Sequence, residues 1–517
     1  MNQKGGLLPF VLLSIFILFL LNNDKQASAQ NGKQPKQRKQ KYNVVFIFID
    51  DLRPELGCYG SKQIKSPNID GLASKATVFN KHFVVVPTCG PSRACLLTGK
   101  LPRTVDELNN DVLEIKQAAH IPLGVPETFV DNLRLNGYYT VGMGKISHSP
   151  DGYIYKYLDS KGTKRELPRS WNEMLFNAGK WGTGWNAFFG YAAGTNRNEL
   201  KNAVKPYEAA DVPDEGYPDG LTASLAVQKL QELAGKKAPF FLGVGFFKPH
   251  LPFNAPKKYW DMYDEAKIEL TPSPDIPKNV NPESLQESGE FNGYKLGDEK
   301  ASLSKPVSDA YARKLRHAYY AGVSYVDAQV GKVLTAIEKL GLEKNTIIVL
   351  WGDHGWHLGD DRIWGKHTLS EWALRSPLII KTPDMQKGVV SNGIVSSIDI
   401  YPTLMELCGV EMPKGKDGKS FAILLKEPNN RNWNNVAYSY FKKGISVRTE
   451  NYRFTKYYRS EMPDVELYDY RTDMYENNNI AIGNPEITKS LLPVLEKGNT
   501  GLYNTKPFNQ KNLQEGQ

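Results

Sequence analysis

The run NVVFIFIDD, Asn43–Asp51, decides how the rest of this 517-residue chain reads. Its apolar residues are continuous rather than alternating, the pattern of a strand covered on both faces, which parallel sheets provide. Three further runs read alike: GYYTVGMG (Gly137–Gly144), PFFLGVGFF (Pro239–Phe247) and NTIIVLWG (Asn345–Gly352). Before the last lies an amphipathic helix, with Val326, Val330, Val333, Leu334, Ile337 and Leu340 on one face and Gly341 to end it. Strands alternating with helices predict an α/β domain on a large, mostly parallel, doubly wound sheet sandwiched by helices.

The flanking regions differ from this pattern. The apolar run Leu7–Leu21, after Lys4 and before Ala27-Ser28-Ala29, reads as a secretory signal peptide over 1–29. It is shorter than the ~20 residues a membrane-spanning helix needs, so no stable membrane anchor is expected. A basic, disordered tail follows over 30–42. Of the nine net positive charges, six fall in residues 1–41 (Lys4, Lys25, Lys33, Lys36, Arg38, Lys39 and Lys41 against Asp24). The +3 left for residues 42–517 does not suggest nucleic-acid binding by the folded part. The α/β pattern occupies 43–425. Over 426–517 short alternating runs (GISVRT, NYRFTKYY, VELYDY) predict a smaller antiparallel sheet. The stretch 150–220, rich in Gly, Trp, Tyr and Asn without periodicity, reads as long surface loops, some of them candidates for lining a pocket.

Four cysteines in an exported chain of this length make no disulfide framework, and their spacing fits no zinc pattern. On spacing alone a Cys89–Cys95 bridge stays open.

Each of the four strand runs ends in polar groups. Asp50 and Asp51 follow the first, Lys145 and His148 the second, Lys248 and His250 the third, and Asp353 and His354 the fourth. Any one of these is ordinary, since an acidic residue after a strand is often a cap and a loop lysine or histidine is usually solvated. All four together point to one crevice, because ligands of open α/β sheets bind at the carboxyl ends of the strands. The carboxylates suit a hard divalent cation, Ca²⁺ or Mg²⁺ rather than Zn²⁺, with the histidine as the odd member. Lysines and arginines beside a cation suit a polyanionic group in its transition state, and a phosphate or sulfate ester fits.

The remaining motif narrows the choice. CGPSRACLLTGK (Cys89–Lys100) resembles the signature of the type I, formylglycine-dependent sulfatases of the alkaline-phosphatase-like superfamily. FIDDLRPELGCYG (Phe48–Gly60), SPNIDGLA (Ser66–Ala73), GKISH (Gly144–His148), FFKPHLPF (Phe246–Phe253), DHGWHLGD (Asp353–Asp360), WGKHT (Trp364–Thr368) and ELYDYRTDMYENNNIA (Glu466–Ala481) follow in that family's order. The resemblance covers nearly all of the chain after the leader, and it is nearest to the iduronate-2-sulfatase branch.

That resemblance implies Cys89 converted to formylglycine (3-oxoalanine) by a formylglycine-generating maturation enzyme. It implies one Ca²⁺ held by Asp50, Asp51, Asp353, His354 and the modified Cys89. Lys145 and Lys366 would hold sulfate oxygens. His148 would be the base that assists sulfate expulsion, and His250 the acid that protonates the leaving alcohol. Arg93 would orient the hydrated aldehyde. The expected substrate is a sulfated saccharide, attacked at a chain end, and the expected location is the periplasm or the exterior. Arg53 and Trp356 are candidates for the sugar-binding rim, with packing the alternative for Trp356. Gly90 stands where many members have threonine or alanine, at a position expected to tolerate change. Lys100 replaces a common arginine, and GDDRIWGKHT (Gly359–Thr368) departs from the usual form of that segment. Cys58, Cys95 and Cys408 read as small buried residues. Two rivals remain: a phosphate or phosphonate monoester hydrolase of the same superfamily, and a non-catalytic glycan-binding relative. The complete set of polar residues speaks against the second.

Overall fold

A computed structural model describes residues 41–118, 125–155, 162 and 164–503. The expected signal peptide and all but the last two residues of the basic tail lie outside them. The large sheet has eight strands: β1 (Asn43–Ile49), β2 (Thr77–Phe83), β3 (Tyr139–Gly144), β4 (Glu173–Leu175), β5 (Phe240–Phe246), β6 (Thr346–Gly352), β7 (Leu378–Lys381) and β8 (Val389–Ser396). Their order is β8-β2-β7-β6-β1-β5-β3-β4, parallel throughout except for β7, which runs against both its neighbours. All four expected strands are present, and their apolar continuity has a simple cause. In β1, Val45, Ile47 and Ile49 enter one core, with α2 (Pro218–Ala234) and α3 (Asp309–Lys339). Val44, Phe46 and Phe48 enter the other, with α1 (Cys89–Thr98). Helix α3 ends where expected, at Gly341 in a left-handed conformation (φ 67°).

The second sheet has four antiparallel strands in sequential order, β9 (Ala437–Phe441), β10 (Gly444–Arg448), β11 (Tyr452–Tyr457) and β12 (Val465–Asp469). Three were anticipated; β9 was not, because AYSYF is too short and mixed to stand out. It matters for the site, since the Tyr440 amide donates to the Val85 carbonyl (2.8 Å) and Ser439 Oγ to that of Val84 (2.6 Å). The small sheet thus braces the segment that leads into Cys89.

Three expectations are corrected. The stretch 150–220 is only partly surface loop: Trp181, Trp185, Phe188 and Phe189 form a buried cluster with Phe247. A stretch without periodicity reads as loop because irregular backbone hides which side chains pack together. Cys58 is half-buried rather than buried, while Cys95 and Cys408 are buried; none of the four cysteines is in a disulfide, so there is no Cys89–Cys95 bridge. Position 90 does not tolerate change, since a Cβ there would lie 2.5 Å from Asn110 Cα.

One buried group gives the fold a pH dependence. On β2, His82 Nδ1 lies 3.0 Å from the Ser376 carbonyl and Nε2 3.0 Å from Ser397 Oγ, which also accepts from Trp351 Nε1. The neutral ring satisfies both contacts, and burial lowers its pKa to about 4. The unfolded chain binds a proton near pH 6.5, so this stability is present above that value and is lost as pH falls toward 4. Going from pH 7 to 5 is expected to cost about 2 kcal/mol through His82. Denaturant midpoints at the two pH values should show this loss shrinking by that amount in His82→Gln.

Candidate functional site

The carboxyl ends of β1, β3, β5 and β6 meet the amino end of α1. Cys89 is the first residue of that helix, 3 % exposed, where the unpaired amides and helix dipole favour negative charge. Its Sγ lies 3.2 Å from His354 Nε2 and 3.3 Å from Lys366 Nζ. One turn on, Arg93 is fully buried and threads between the strand ends. Its Nε donates to Asp353 Oδ2 (2.9 Å), Nη2 to Asp50 Oδ1 (3.1 Å) and Nη1 to the Ile146 carbonyl (3.2 Å). Gly144 (φ 69°) turns the chain so tightly that a Cβ would come 2.0 Å from the Gly245 oxygen. The next residue, Lys145, sends Nζ to Asp50 Oδ2 at 2.5 Å.

Asp51 adopts a left-handed φ of 56°, uncommon for a residue with a side chain. Its backbone is pinned from both sides, the amide by Asp353 Oδ1 (3.0 Å) and the carbonyl by Tyr319 Oη of α3 (2.7 Å). Oδ1 accepts from Lys366 Nζ (2.8 Å) and lies 3.3 Å from His354 Nε2. Oδ2 is buried without a hydrogen-bond partner among the described residues.

These groups fit a divalent cation. One ligand atom each from Asp50, Cys89, Asp353 and His354 lie within 4.8 Å of one another, as do those of Asp50, Asp51, Cys89 and His250. Three carboxylates and an orphaned carboxylate oxygen match the oxygen-rich sets of hard cations. Burial alone would raise the Asp50 carboxyl, but Lys145, His250 and Arg93 outweigh it and hold it well below the usual range. For Asp51 burial wins over Lys366 and His354 and pushes the carboxyl up. Burial also drives the Cys89 thiol up to about 12, against Lys145 and Lys366, so the unmodified side chain is a poor thiolate.

His148 and His250 flank this centre beside the buried aromatic cluster. The His250 ring lies 4.5 Å from Phe188, and that of His148 6.4 Å from Trp185; Lys145 Nζ sits 4.0 Å above Phe188. His148 is half-buried, and burial, with Lys145 next, holds its pKa well below the usual value. His250 Nδ1 faces the Leu251 carbonyl (2.5 Å) and Nε2 the carboxylate of Glu290 (3.0 Å). Both contacts suit hydrogens on both nitrogens, whereas burial and then Lys366 push the pKa down.

Ten of the thirteen residues singled out from the sequence therefore converge: Asp50, Asp51, Cys89, Arg93, Lys145, His148, His250, Asp353, His354 and Lys366. Trp356 does not line a rim; it is fully buried beneath Lys366, whose Nζ stands 5.0 Å over its ring. Arg53 donates from Nη1 to the Trp356 carbonyl (3.0 Å) and Asp360 Oδ2 (2.7 Å). It borders a cleft of about 580 Å³ lined also by Arg316, Trp372 and Tyr475, and none of the ten lines that cleft. Lys248, at its strand end, donates to the carbonyls of His250 (2.8 Å) and Pro252 (2.5 Å), holding the turn that carries His250. Sequence reasoning missed Glu290, which sits between His250 and Lys366 on an irregular stretch with no periodic signal.

The sulfatase family matches residues 42–410, and the family of N-sulphoglucosamine sulphohydrolase C-terminal regions matches 352–498. The chain is 30 % identical to iduronate 2-sulfatase of Homo sapiens over 458 residues, 82 % of this chain and 78 % of that one. It is 28 % identical to an ulvan-active sulfatase of Formosa agariphila, over 92 % of this chain and 83 % of that one. Its fold is shared with the phosphonate monoester hydrolase of Silicibacter pomeroyi, at TM-score 0.69 and 23 % identity, covering 89 % and 95 % of the two chains.

Proposed function

Because the chain belongs to the sulfatase family and is a sulfuric ester hydrolase, we propose that it removes sulfate from a carbohydrate through a formylglycine made from Cys89. The supporting observation is the position of Cys89, at the amino end of α1 and against Lys366 and His354, within the carboxylate cluster. Asp50, Asp51, Asp353 and His354, with the modified residue 89, would hold one Ca²⁺, which supplies positive charge at the sulfate. Hydrated formylglycine supplies one hydroxyl to attack sulfur and a second whose proton loss expels sulfate and restores the aldehyde.

The chain's own groups do the rest. Lys145 and Lys366 bind sulfate oxygens. Arg93, tied to Asp50 and Asp353, keeps those two carboxylates in register with Cys89. His250 gives its Nε2 proton to the leaving sugar oxygen as the S–O bond breaks, and His148 takes a proton from the second hydroxyl. Phe188, packed against Lys145 and His250, excludes water from the side of the leaving group.

The same reading takes 1–29 as a signal peptide, so the enzyme acts in the periplasm or outside the cell. It also separates a catalytic part, 43–425, from a bracing part, 426–517. A formylglycine-generating enzyme is its maturation partner and a sulfated saccharide its substrate, met at a chain end. No helix among the described residues is long and apolar enough to cross a membrane.

The test is release of free sulfate from defined sulfated oligosaccharides, with phosphate and phosphonate monoesters alongside. Turnover of sulfated sugars is expected to lead. Robust phosphoesterase turnover without desulfation would overturn the reading.

A further inference from the structure

The segment Gln286–Phe291 lies against the strand residues that precede Lys366 and is tied to them at several points. Gln286 Nε2 donates to the Lys366 carbonyl (2.7 Å), and its Oε1 accepts from the Ser288 amide (2.6 Å). Ser288 Oγ accepts from the Trp364 amide (2.9 Å), and Phe291, buried, meets the Trp364 ring at 6.1 Å. Ser288 takes a left-handed φ of 54°, immediately before the turn Gly289–Asn292 that carries Glu290. The product is a carboxylate placed across two of the site's groups. Oε1 lies 3.0 Å from His250 Nε2, and Oε2 lies 3.4 Å from Lys366 Nζ. The Glu290 side chain is 24 % exposed, against 4 % for His250 and 3 % for Lys366, so it is the outermost of the three.

We propose that Glu290 sets the substrate class, selecting a sulfated sugar with a hydroxyl or amine donor beside the leaving oxygen and rejecting one with a carboxylate there. The inference rests on the carbohydrate sulfatase reading above. His250 faces the leaving oxygen, so the sugar enters against the wall where Glu290 stands. A carboxylate accepts hydrogen bonds and donates none, so a ring hydroxyl or ammonium is matched there. A second carboxylate would lie close to the first with little water between them, and like charges at such separations repel strongly. Recognition of an acidic sugar needs an unpaired cation at the wall. Lys366, the lysine nearest Glu290, is already engaged by Glu290 and Asp51.

The test is competition against turnover of 4-nitrophenyl sulfate by the formylglycine-bearing enzyme. Two inhibitors are used, a hexose and the corresponding hexuronate, sulfated at the same secondary hydroxyl. In the wild type the hexuronate is expected to bind roughly 10- to 100-fold more weakly, the range that like charge across a partly buried wall supports. Glu290→Gln, nearly isosteric, and Glu290→Ala should each bring the ratio to within about threefold. A residue that only held the fold would change both inhibition constants alike. Wild-type preference for the hexuronate, or a ratio unchanged in both variants, would overturn the assignment of Glu290 alone. Absence of sulfate release from both the aryl sulfate and the sulfated sugars in the wild type would instead overturn the carbohydrate sulfatase reading, and this one with it.

Discussion

Cys89→Ala is expected to abolish sulfate ester hydrolysis, by on the order of 10⁵- to 10⁶-fold in kcat, the loss seen when an enzyme's nucleophile is removed. The stability of the fold should change far less. Among the described residues Cys89 Sγ is in hydrogen-bonding reach of His354 and Lys366 only, and α1 buries the rest of its length through Ala94, Leu96 and Leu97. Cys89→Ser separates two explanations. A serine hydroxyl could serve as a simple nucleophile, but it lacks the second hydroxyl that expels sulfate and restores the starting state. Pre-steady-state mixing with an aryl sulfate should then show at most a single turnover and no steady rate. Mass spectrometry of the peptide carrying residue 89 should find the aldehyde in active wild-type preparations; an active preparation holding only the thiol would refute the mechanism.

Asp353→Asn should bring the second largest loss, and it should fall on activity and stability together. Asp353 Oδ1 accepts from the Asp51 amide and Oδ2 from Arg93 Nε, both in fully buried surroundings. An asparagine has one oxygen, so one of these donors must face an amide NH₂. Arg93 keeps only Asp50 as a charged partner. Breaking a buried ion pair from one side costs about 3–5 kcal/mol, which thermal or denaturant unfolding will read. Loss of a cation ligand and of the charge that orients Arg93 should lower kcat by roughly 10³-fold or more. Calcium supplies a further readout. Added Ca²⁺ should raise the melting temperature of the wild type, because a ligand bound only by the native state stabilises it, and should do so far less for the variant. Equal calcium responses would remove Asp353 from the ligand set.

Much of the site was legible because the end of a continuous apolar run shows where a strand stops. Residues just past that point lie at one edge of a parallel sheet whatever the loops do, which is how Asp50, Lys145, His250 and Asp353 could be grouped across three hundred residues. Direction was not legible. Lys145 and Lys248 occupy equivalent strand ends, yet one reaches Asp50 and the other caps backbone carbonyls of its own turn. The difference lies in loop dihedrals, such as Gly144 at φ 69°, which no apolar pattern encodes. Trp356 failed as a rim residue for the same reason: motif membership shows that a side chain is needed but not which way it faces. The antiparallel β7 depends on pairing with β2, distant in sequence, while the unexpected β9 is held by its hairpin to β10 and by the Val84–Val85 segment far from it in the chain.

By itself the sequence determined the mostly parallel sheet, the polar residues at its strand ends and the motif around Cys89, because burial on two faces and motif spacing are local properties written into consecutive residues. Only the tertiary structure decided that Glu290 stands over His250 and Lys366, that position 90 has no room for a side chain, and that the small sheet braces the approach to Cys89. Each of these is a contact between segments with no common period, and such contacts arise from the packing of the whole chain.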